Sequence, residues 1–547
     1  MAIYMSILEN FKLLAAEVQS QVELTRQLLE NLTGDTDLLT QIASKDDYID
    51  NLKTYIEDEC FSSICQIDPD NVQRINDSRA VHIICLNLER IADFCVNIAR
   101  QCEYLKETAF IQRYGYQSMF AEIEKRITQV LPVFQKKDLI GALEMCKSEL
   151  SIDRMYKITF DQLMEELRKT ENVADSVTTI FIFRYLERIG DALLNIGEAL
   201  IFATIGERIK IRQFVALEKT LHDYGFDGSL TDIEFRSIRG SRSGCHIGRV
   251  SAGDYTLTKT QGIFKEGSIR KVNREKKNIE QWNNIYPGIA PKVYGYYEKL
   301  DKASLFMEFF PGCTLDEVVL NAPEEMTQNA AYVLEQILLS VFEKTKKQEK
   351  KTADYMEQLK NRMDGIKKFH PHHYRAEQYI DGFKIVSSNE LIERCAEIEK
   401  TVFSPFRVYI HGDFNTNNII YDHSTQQIHF IDTHRSGWGD YIQDASVLLV
   451  SNFRLPFFEN GQRKRLNAII EQFYGFYTKL AKEHRDATFA FRMALALARS
   501  FYTSTRFEPN AEFAQNMVLR ANFLMEKVIQ CKDAPEKFNL PVDILYF

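Results

Sequence analysis

Leu88-Glu89-Arg90-Ile91-Ala92-Asp93 returns 98 residues later as Leu186-Glu187-Arg188-Ile189-Gly190-Asp191, and Asn97-Ile98 returns as Asn195-Ile196. The apolar positions repeat as well: Ile84, Leu88, Ile91, Cys95, Ile98 and Cys102 correspond to Ile182, Leu186, Ile189, Leu193, Ile196 and Leu200. Steps of four and three residues draw a single seam along a helix, and such a seam has to pack against partner helices. Residues 1–213 contain only Pro69 and Pro132 and no run that alternates like a strand. The region therefore reads as all-helical bundles in tandem, about 1–107 and 108–213.

Beside the seam, Glu89, Asp93 and Asn97 stand at i, i+4 and i+8 and rise along one face, as do Glu187, Asp191 and Asn195. Two acids four apart repel, so their recurrence asks for a cation. A metal held by oxygen ligands is one answer and arginines from neighbouring helices are another; Arg90 and Arg188, at i+1, are expected to point elsewhere. The repeated LERIxDxxxNI resembles the PhoU family, regulators of phosphate uptake and signalling. That resemblance implies paired three-helix bundles over residues 1–213, with Glu89, Asp93, Glu187 and Asp191 as the ligands of a metal site, and Asp50 and Asp153 in comparable places on an earlier helix. An oxygen-rich set suits Mg, Mn or Fe better than Zn.

The stretch from Val408 to Asp444 carries the chemistry. An apolar strand leads into His411-Gly412-Asp413, a polar loop ends at Asn418, and a second strand leads to Asp432. A phosphoryl-transfer site needs these parts: a base for the attacking hydroxyl and two oxygen ligands for Mg2+. Turn preference alone would account for one or two of these residues, but not for the spacing, both strands and the later aspartate together. HGDxxxxN followed by IDxxxxxxGDxxxD resembles the aminoglycoside phosphotransferase and choline kinase family, kinase-like enzymes that mostly phosphorylate small-molecule hydroxyls. The resemblance implies a bilobal α+β kinase-like fold, Asp413 as the base, Asn418 and Asp432 as Mg2+ ligands, and Asp440 and Asp444 in the GDxxxD segment. Thr433-His434 and Tyr441 replace the Trp-Glu and Pro usual there, which touches the substrate class and leaves the reaction type unchanged.

Upstream, the helical period weakens after Arg212, and Tyr224 to Ser229 is a turn-rich break, giving a linker over 214–230. Short β-like runs follow at Ile233 to Ile238, Ile247 to Val250, Tyr255 to Thr258, Gly262 to Lys265 and Ser304 to Phe309. The small-residue loop from Arg239 to Gly244 lets backbone amides near Ser243 and Gly244 approach phosphate oxygens. Lys265 ends a strand, and a helix with Val272, Ile279 and Trp282 on one face follows. Kinase N-lobes use such a lysine for the nucleotide phosphates and a helix glutamate to hold it, here Glu275 or, alternatively, Glu280. In the resembled family the strand ending at Glu308 is the hinge, so backbone groups from Glu308 to Phe310 would face adenine. The kinase-like lobes are thus 231–311 and 312–547.

His411 is expected to brace the catalytic loop, and His370-Pro371-His372-His373 reads as an incidental loop cluster. Apolar residues from Phe489 to Gln530, among them Phe501, Tyr502 and Phe513, either wall a substrate pocket or form core. Arg435, Arg499 and Arg506 are unranked candidates for an anionic substrate or the transferred phosphoryl group.

A net charge of −9 in 547 residues argues against nucleic acid as a partner. No apolar run reaches the eighteen residues of a membrane span, the start lacks signal-peptide features, and the cysteines form no CxxC, so reduced thiols in the cytoplasm are expected. The expected function is ATP-dependent phosphotransfer to a hydroxylated acceptor with Mg2+, coupled to a PhoU-like module that contacts a phosphate transporter or sensor kinase; a homodimer is left open. The alternative is a non-catalytic, nucleotide-binding regulator of phosphate uptake or signalling.

Overall fold

A computed structural model of the chain describes residues 2–31, 36–68, 71–107, 109–169, 172–206, 216, 219, 233–237, 246–252, 260–506 and 508–547. The repeat folds as helices α1 (Ala2–Glu30), α2 (Thr36–Gln66), α3 (Val72–Cys102), α4 (Tyr116–Lys136), α5 (Leu139–Arg168) and α6 (Val173–Ile205). Their ends carry local signals. Asn71 caps α3 by accepting from the Arg74 N–H at 3.3 Å, Asp138 caps α5 by accepting from Gly141 at 3.1 Å, and α4 stops at Lys137 in the left-handed region.

The repeated seams lie on α3 and α6. Ile84, Leu88, Ile91, Cys95 and Ile98 on one helix, and Ile182, Leu186, Ile189, Leu193, Ile196 and Leu200 on the other, are all buried. Because α3 packs directly on α6, the two repeats share one apolar core, joined by Phe11 of α1, Ile56 of α2, Phe120 of α4 and Ile152 of α5. The architecture is all-α bundles, as the repeat predicts.

The chain divides into two compact units, Met1–Phe264 and Lys265–Phe547. Within the first, β1 (Ile233–Ser237) pairs antiparallel with β2 (His246–Ala252). The linker 214–230, apart from Ala216 and Lys219, the run Tyr255 to Thr258, and the loop holding Ser243 and Gly244 lie outside the described residues.

The second unit mixes helices with small sheets. The division falls inside β3 (Thr260–Ser268); β5 (Lys302–Glu308) lies beside β3, and β4 (Val293–Lys299) beside β5. Strand β4 escaped the sequence reading. Its Tyr-rich run is only half-buried, so it shows no alternation of apolar and polar residues. The helix Ile269–Ile285 buries Val272, Glu275, Ile279 and Trp282 on one face. Trp282 meets the rings of Tyr409 and Phe430 edge-on at 5.1 and 5.2 Å, and its Nε1 donates to Ser436 Oγ at 2.9 Å. That face therefore docks on the strands that flank Asp413.

Strand Ile419–Asp422 pairs with both Gln427–Phe430 and Cys313–Thr314, and Val408–Ile410 pairs with Gly437–Gly439. Long helices, including Glu324–Thr345, Asn460–Glu483, Phe489–Thr505 and Ala511–Gln530, form the rest. Phe501, Tyr502 and Phe513 are buried core residues, so packing, not a pocket wall, explains the apolar tail. Among the described residues no helix is long and apolar enough to cross a membrane.

Candidate active site

Lys265 leaves β3 into a buried setting where its Nζ lies 2.7 Å from Glu275 Oε2 and 2.7 Å from Asp432 Oδ1. Of the two glutamates the sequence offered, Glu275 is the partner and Glu280 is exposed. Burial works against the lysine's charge, but the carboxylates of Glu275 and Asp432 outweigh it and hold its pKa above the ordinary value. Burial pushes Glu275 up despite the lysine. Asp432 is half-buried, which works to raise it, yet Lys265 and His434 hold it well below the usual carboxylate range.

Hairpin register brings the expected metal residues together. Ile419 stands opposite Phe430, and the Ile431 N–H donates to the Asn418 carbonyl at 3.0 Å, so Asn418 sits beside the residue preceding Asp432. Asp432 itself adopts φ 59°, a left-handed conformation uncommon for a residue with a side chain and typical of held functional positions. His434 Nδ1, two residues on, donates to Asp432 Oδ1 at 2.9 Å. The sequence marked His434 only as a departure from a family pattern.

The Asp413 loop is braced from several sides. Asn415 Nδ2 donates to Asp413 Oδ1 at 2.8 Å, and Asn418 Nδ2 donates to the Asp413 carbonyl at 2.9 Å. The Arg435 guanidinium lies 3.4 Å from Asp413 Oδ2. His411 fills the bracing role expected of it: its Nε2 bonds the Ile431 carbonyl at 2.9 Å, and its Nδ1 accepts from the Asp413 N–H at 3.3 Å. Asp444 accepts from the backbone N–H groups of His411 and Gly412. Asp440 pairs with Arg492, which also pairs with Asp486, all three buried. Asn415, Arg492 and Asp486 were not singled out in the sequence, because partners 52 and 6 residues away from Arg492 follow no motif.

At the expected hinge, the Glu308 N–H donates to the Lys292 carbonyl at 2.9 Å and its carboxylate accepts from Lys292 N–H at 3.0 Å. The Phe310 ring stacks on His429 with centroids 3.8 Å apart.

In the helical unit, Lys53 of α2 lies 3.3 Å from Asp50 and 3.9 Å from Glu89. Burial, then neighbouring acids, raises the carboxyl pKa values of Asp46, Glu89 and Asp93. In the second repeat Arg184 pairs with Glu187 at 2.8 Å, Lys157 with Asp153 at 2.7 Å, and Arg188 with Asp191 at 3.1 Å. Arg188 thus turns back toward the row, contrary to the expectation from its i+1 offset, because its long side chain spans the i, i+3 step. Among the described residues, the group of three or more metal-type ligands drawn within 4.8 Å of one another is Glu275, Asp432 and His434.

Fold and site together define a kinase-like domain following a helical regulator-like domain. Residues 11–102 and 116–200 match the PhoU domain, and residues 321–482 match the ecdysteroid kinase-like family. The PhoU homologue of Clostridium acetobutylicum, a phosphate-specific transport system accessory protein, is 26% identical over 181 residues, 32% of this chain and 82% of that protein. PhoU homologue 1 of Thermotoga maritima is 28% identical over 176 residues, 32% of this chain and 75% of that protein. Among solved structures, PhoU from Pseudomonas aeruginosa is 22% identical, covering 38% of this chain and 99% of that one with a TM-score of 0.34. An aminoglycoside-3'-phosphotransferase of type VIII is 18% identical, covering 48% of this chain and 91% of that one with a TM-score of 0.31.

Proposed function

We propose that the chain is an ATP-dependent phosphotransferase acting on an acceptor hydroxyl, regulated through its PhoU domain in connection with phosphate. The observation that carries this reading is Lys265, held between Glu275 and Asp432 at 2.7 Å. A kinase-type site needs a lysine so held to meet the nucleotide phosphates, and it needs the aspartate's negative charge beside them. The low pKa of Asp432 supports a ligand that stays ionised.

The donor set fits Mg2+. Asp432 offers a carboxylate, and Asn418 offers its amide oxygen, because its Nδ2 is already given to the Asp413 carbonyl. When bound, the ion would offset charge on the β- and γ-phosphates. Asp413 accepts the hydrogen bond of the acceptor hydroxyl and orients it for in-line attack; Asn415 fixes the rotamer of its carboxylate. Lys265 holds phosphate oxygens and keeps Asp432 in position.

For the acidic rows of the helical unit, Lys53 among Asp50 and Glu89, together with Arg184 and Arg188 on Glu187 and Asp191, supports compensation by built-in cations. A metal carried by Glu89, Asp93, Glu187 and Asp191 would instead appear in elemental analysis of the purified chain. The PhoU relatives' names make a phosphate transport system the partner to test first.

The test is transfer of labelled γ-phosphate to a panel of hydroxylated metabolites, comparing wild type with Asp413→Asn. Loss of a positioned base should lower the rate by about 10²- to 10⁴-fold. Undiminished transfer by the variant overturns the reading, and nucleotide binding without turnover by wild type favours the non-catalytic regulator.

A further inference from the structure

The helix Phe489–Thr505 carries arginines at seven-residue intervals, Arg492, Arg499 and, at its C-terminal cap, Arg506. Seven residues are close to two turns, so the three rise along one face. Their surroundings differ sharply. Arg492 is fully buried and pairs with both Asp440 and Asp486. Arg499, 3% exposed, has Nε and Nη2 buried without a hydrogen-bond partner, although the Tyr355 ring lies 5.5 Å from the guanidinium carbon. An unmet buried guanidinium is costly unless a ligand completes it.

The unmet atoms belong to a larger group of positive charge. Arg435 lies 3.4 Å from Asp413 Oδ2, and the guanidinium of Arg506 approaches Gly365, in the short helix that begins just after Arg362. Burial, then Arg435 and Arg499, depresses the Arg362 guanidinium to about 10, against the pull of Asp413; Arg506 adds to the effect. Burial likewise lowers Arg499, while Tyr355 and Asp413 pull the other way. Arg435 thus touches the Asp413 carboxylate, Arg362 and Arg499 feel its charge, and Arg506 extends the group through Arg362.

We propose that Arg362, Arg435, Arg499 and Arg506 form an anion subsite beside Asp413, and that the hydroxylated acceptor carries a phosphate group held there. This rests on the phosphotransferase reading above. A phosphate dianion offers three oxygens to several forked donors, whereas a carboxylate offers two and a single charge. A cationic acceptor would be repelled. The reaction balances as an ordinary phosphoryl transfer: the acceptor oxygen bonds the γ-phosphorus, the bond to the β-phosphate oxygen breaks, ADP leaves, and the hydroxyl proton passes by way of Asp413 to solvent.

The full-length protein with Mg·ATP is assayed on matched acceptors: glycerol and glycerol 3-phosphate, inositol and an inositol monophosphate, glycerate, and choline. The expected result is a preference for the phosphorylated member of at least about tenfold in kcat/KM. Arg362→Gln and Arg435→Gln should each raise its KM by about tenfold, with the dissociation constant of Mg·ATP unchanged. Arg499→Met should do the same; the two more exposed arginines decide the matter if that variant fails to fold. Turnover of neutral acceptors or choline with no phosphate preference overturns the subsite and leaves phosphotransfer standing. Preference for glycerate overturns the phosphate assignment. If no acceptor is turned over, the phosphotransferase reading fails separately, and calorimetry with inorganic phosphate decides the subsite: binding lost in Arg362→Gln supports it, and no binding by wild type at millimolar concentration overturns it.

Discussion

The carboxylate of Asp444 accepts the backbone N–H of Gly412 at 2.8 Å through Oδ1, while its Oδ2 accepts that of His411 at 2.6 Å. A buried side chain in the helix Ile442–Phe453 thereby fixes the two peptide groups that lead into Asp413. Replacement by alanine strands both donors, at about 1–3 kcal/mol each. Asp444→Ala should therefore lose roughly 2–6 kcal/mol in urea unfolding. Phosphotransfer should fall further than the folded fraction does, while Asp444→Asn, which keeps one acceptor, should lose less of both.

Gly412 stands at φ 79°, and a Cβ there would come 2.3 Å from the Arg435 carbonyl oxygen. Both the conformation and the close approach exclude a side chain, which is why the arginine that protein kinases carry at this point has no room here. Gly412→Ala should lower stability by about 2 kcal/mol or more and displace Arg435. Thermal unfolding with labelled-ATP transfer on the same sample measures both effects.

Lys265→Met leaves Glu275 and Asp432 facing each other without their shared cation. Breaking a buried pair by removing one partner costs about 3–5 kcal/mol. Mg·ATP binding, followed by calorimetry, should be lost in the variant. A double variant, Lys265→Met with Glu275→Leu, should recover part of the stability but none of the binding.

Glu399 predicts a pH effect on stability. Its oxygens accept from the Tyr355 and Met356 N–H groups at 2.9 and 3.0 Å, yet burial dominates and lifts its pKa from 4.5 to about 7. With the folded value above the unfolded one, the native state holds the proton longer. Its contribution is full below 4.5 and is lost as pH rises through 7, by roughly 3 kcal/mol in all. Glu399→Gln should be less stable than wild type at pH 5 and draw level with it or pass it by about pH 8. Melting temperatures across that range check the crossing.

The offset repeat made the helical unit legible, since its seam residues fill the core of α3 and α6. Spacing also marked Asp413, Asn418 and Asp432, because strand register carries residues near in sequence to one end of a hairpin. The lysine and its glutamate were legible as types, but the choice of Glu275 over Glu280 needed the helix face that Trp282 docks. β4 hid behind its half-exposed tyrosines. Arg362 bore no local mark at all.

By itself, then, the sequence determined the order of modules, the helical period of the first and the kinase-like motif of the second, since periodicity and short-range spacing act within one element or one hairpin. Tertiary structure alone decided which charges meet. Lys265 and Asp432 stand 167 residues apart, Asp440 and Arg492 are 52 apart, and Arg362 feels the charge of Arg499 from outside its helix. Charge pairing depends on distance in space and on the burial around it, and neither is written in the spacing of residues along the chain.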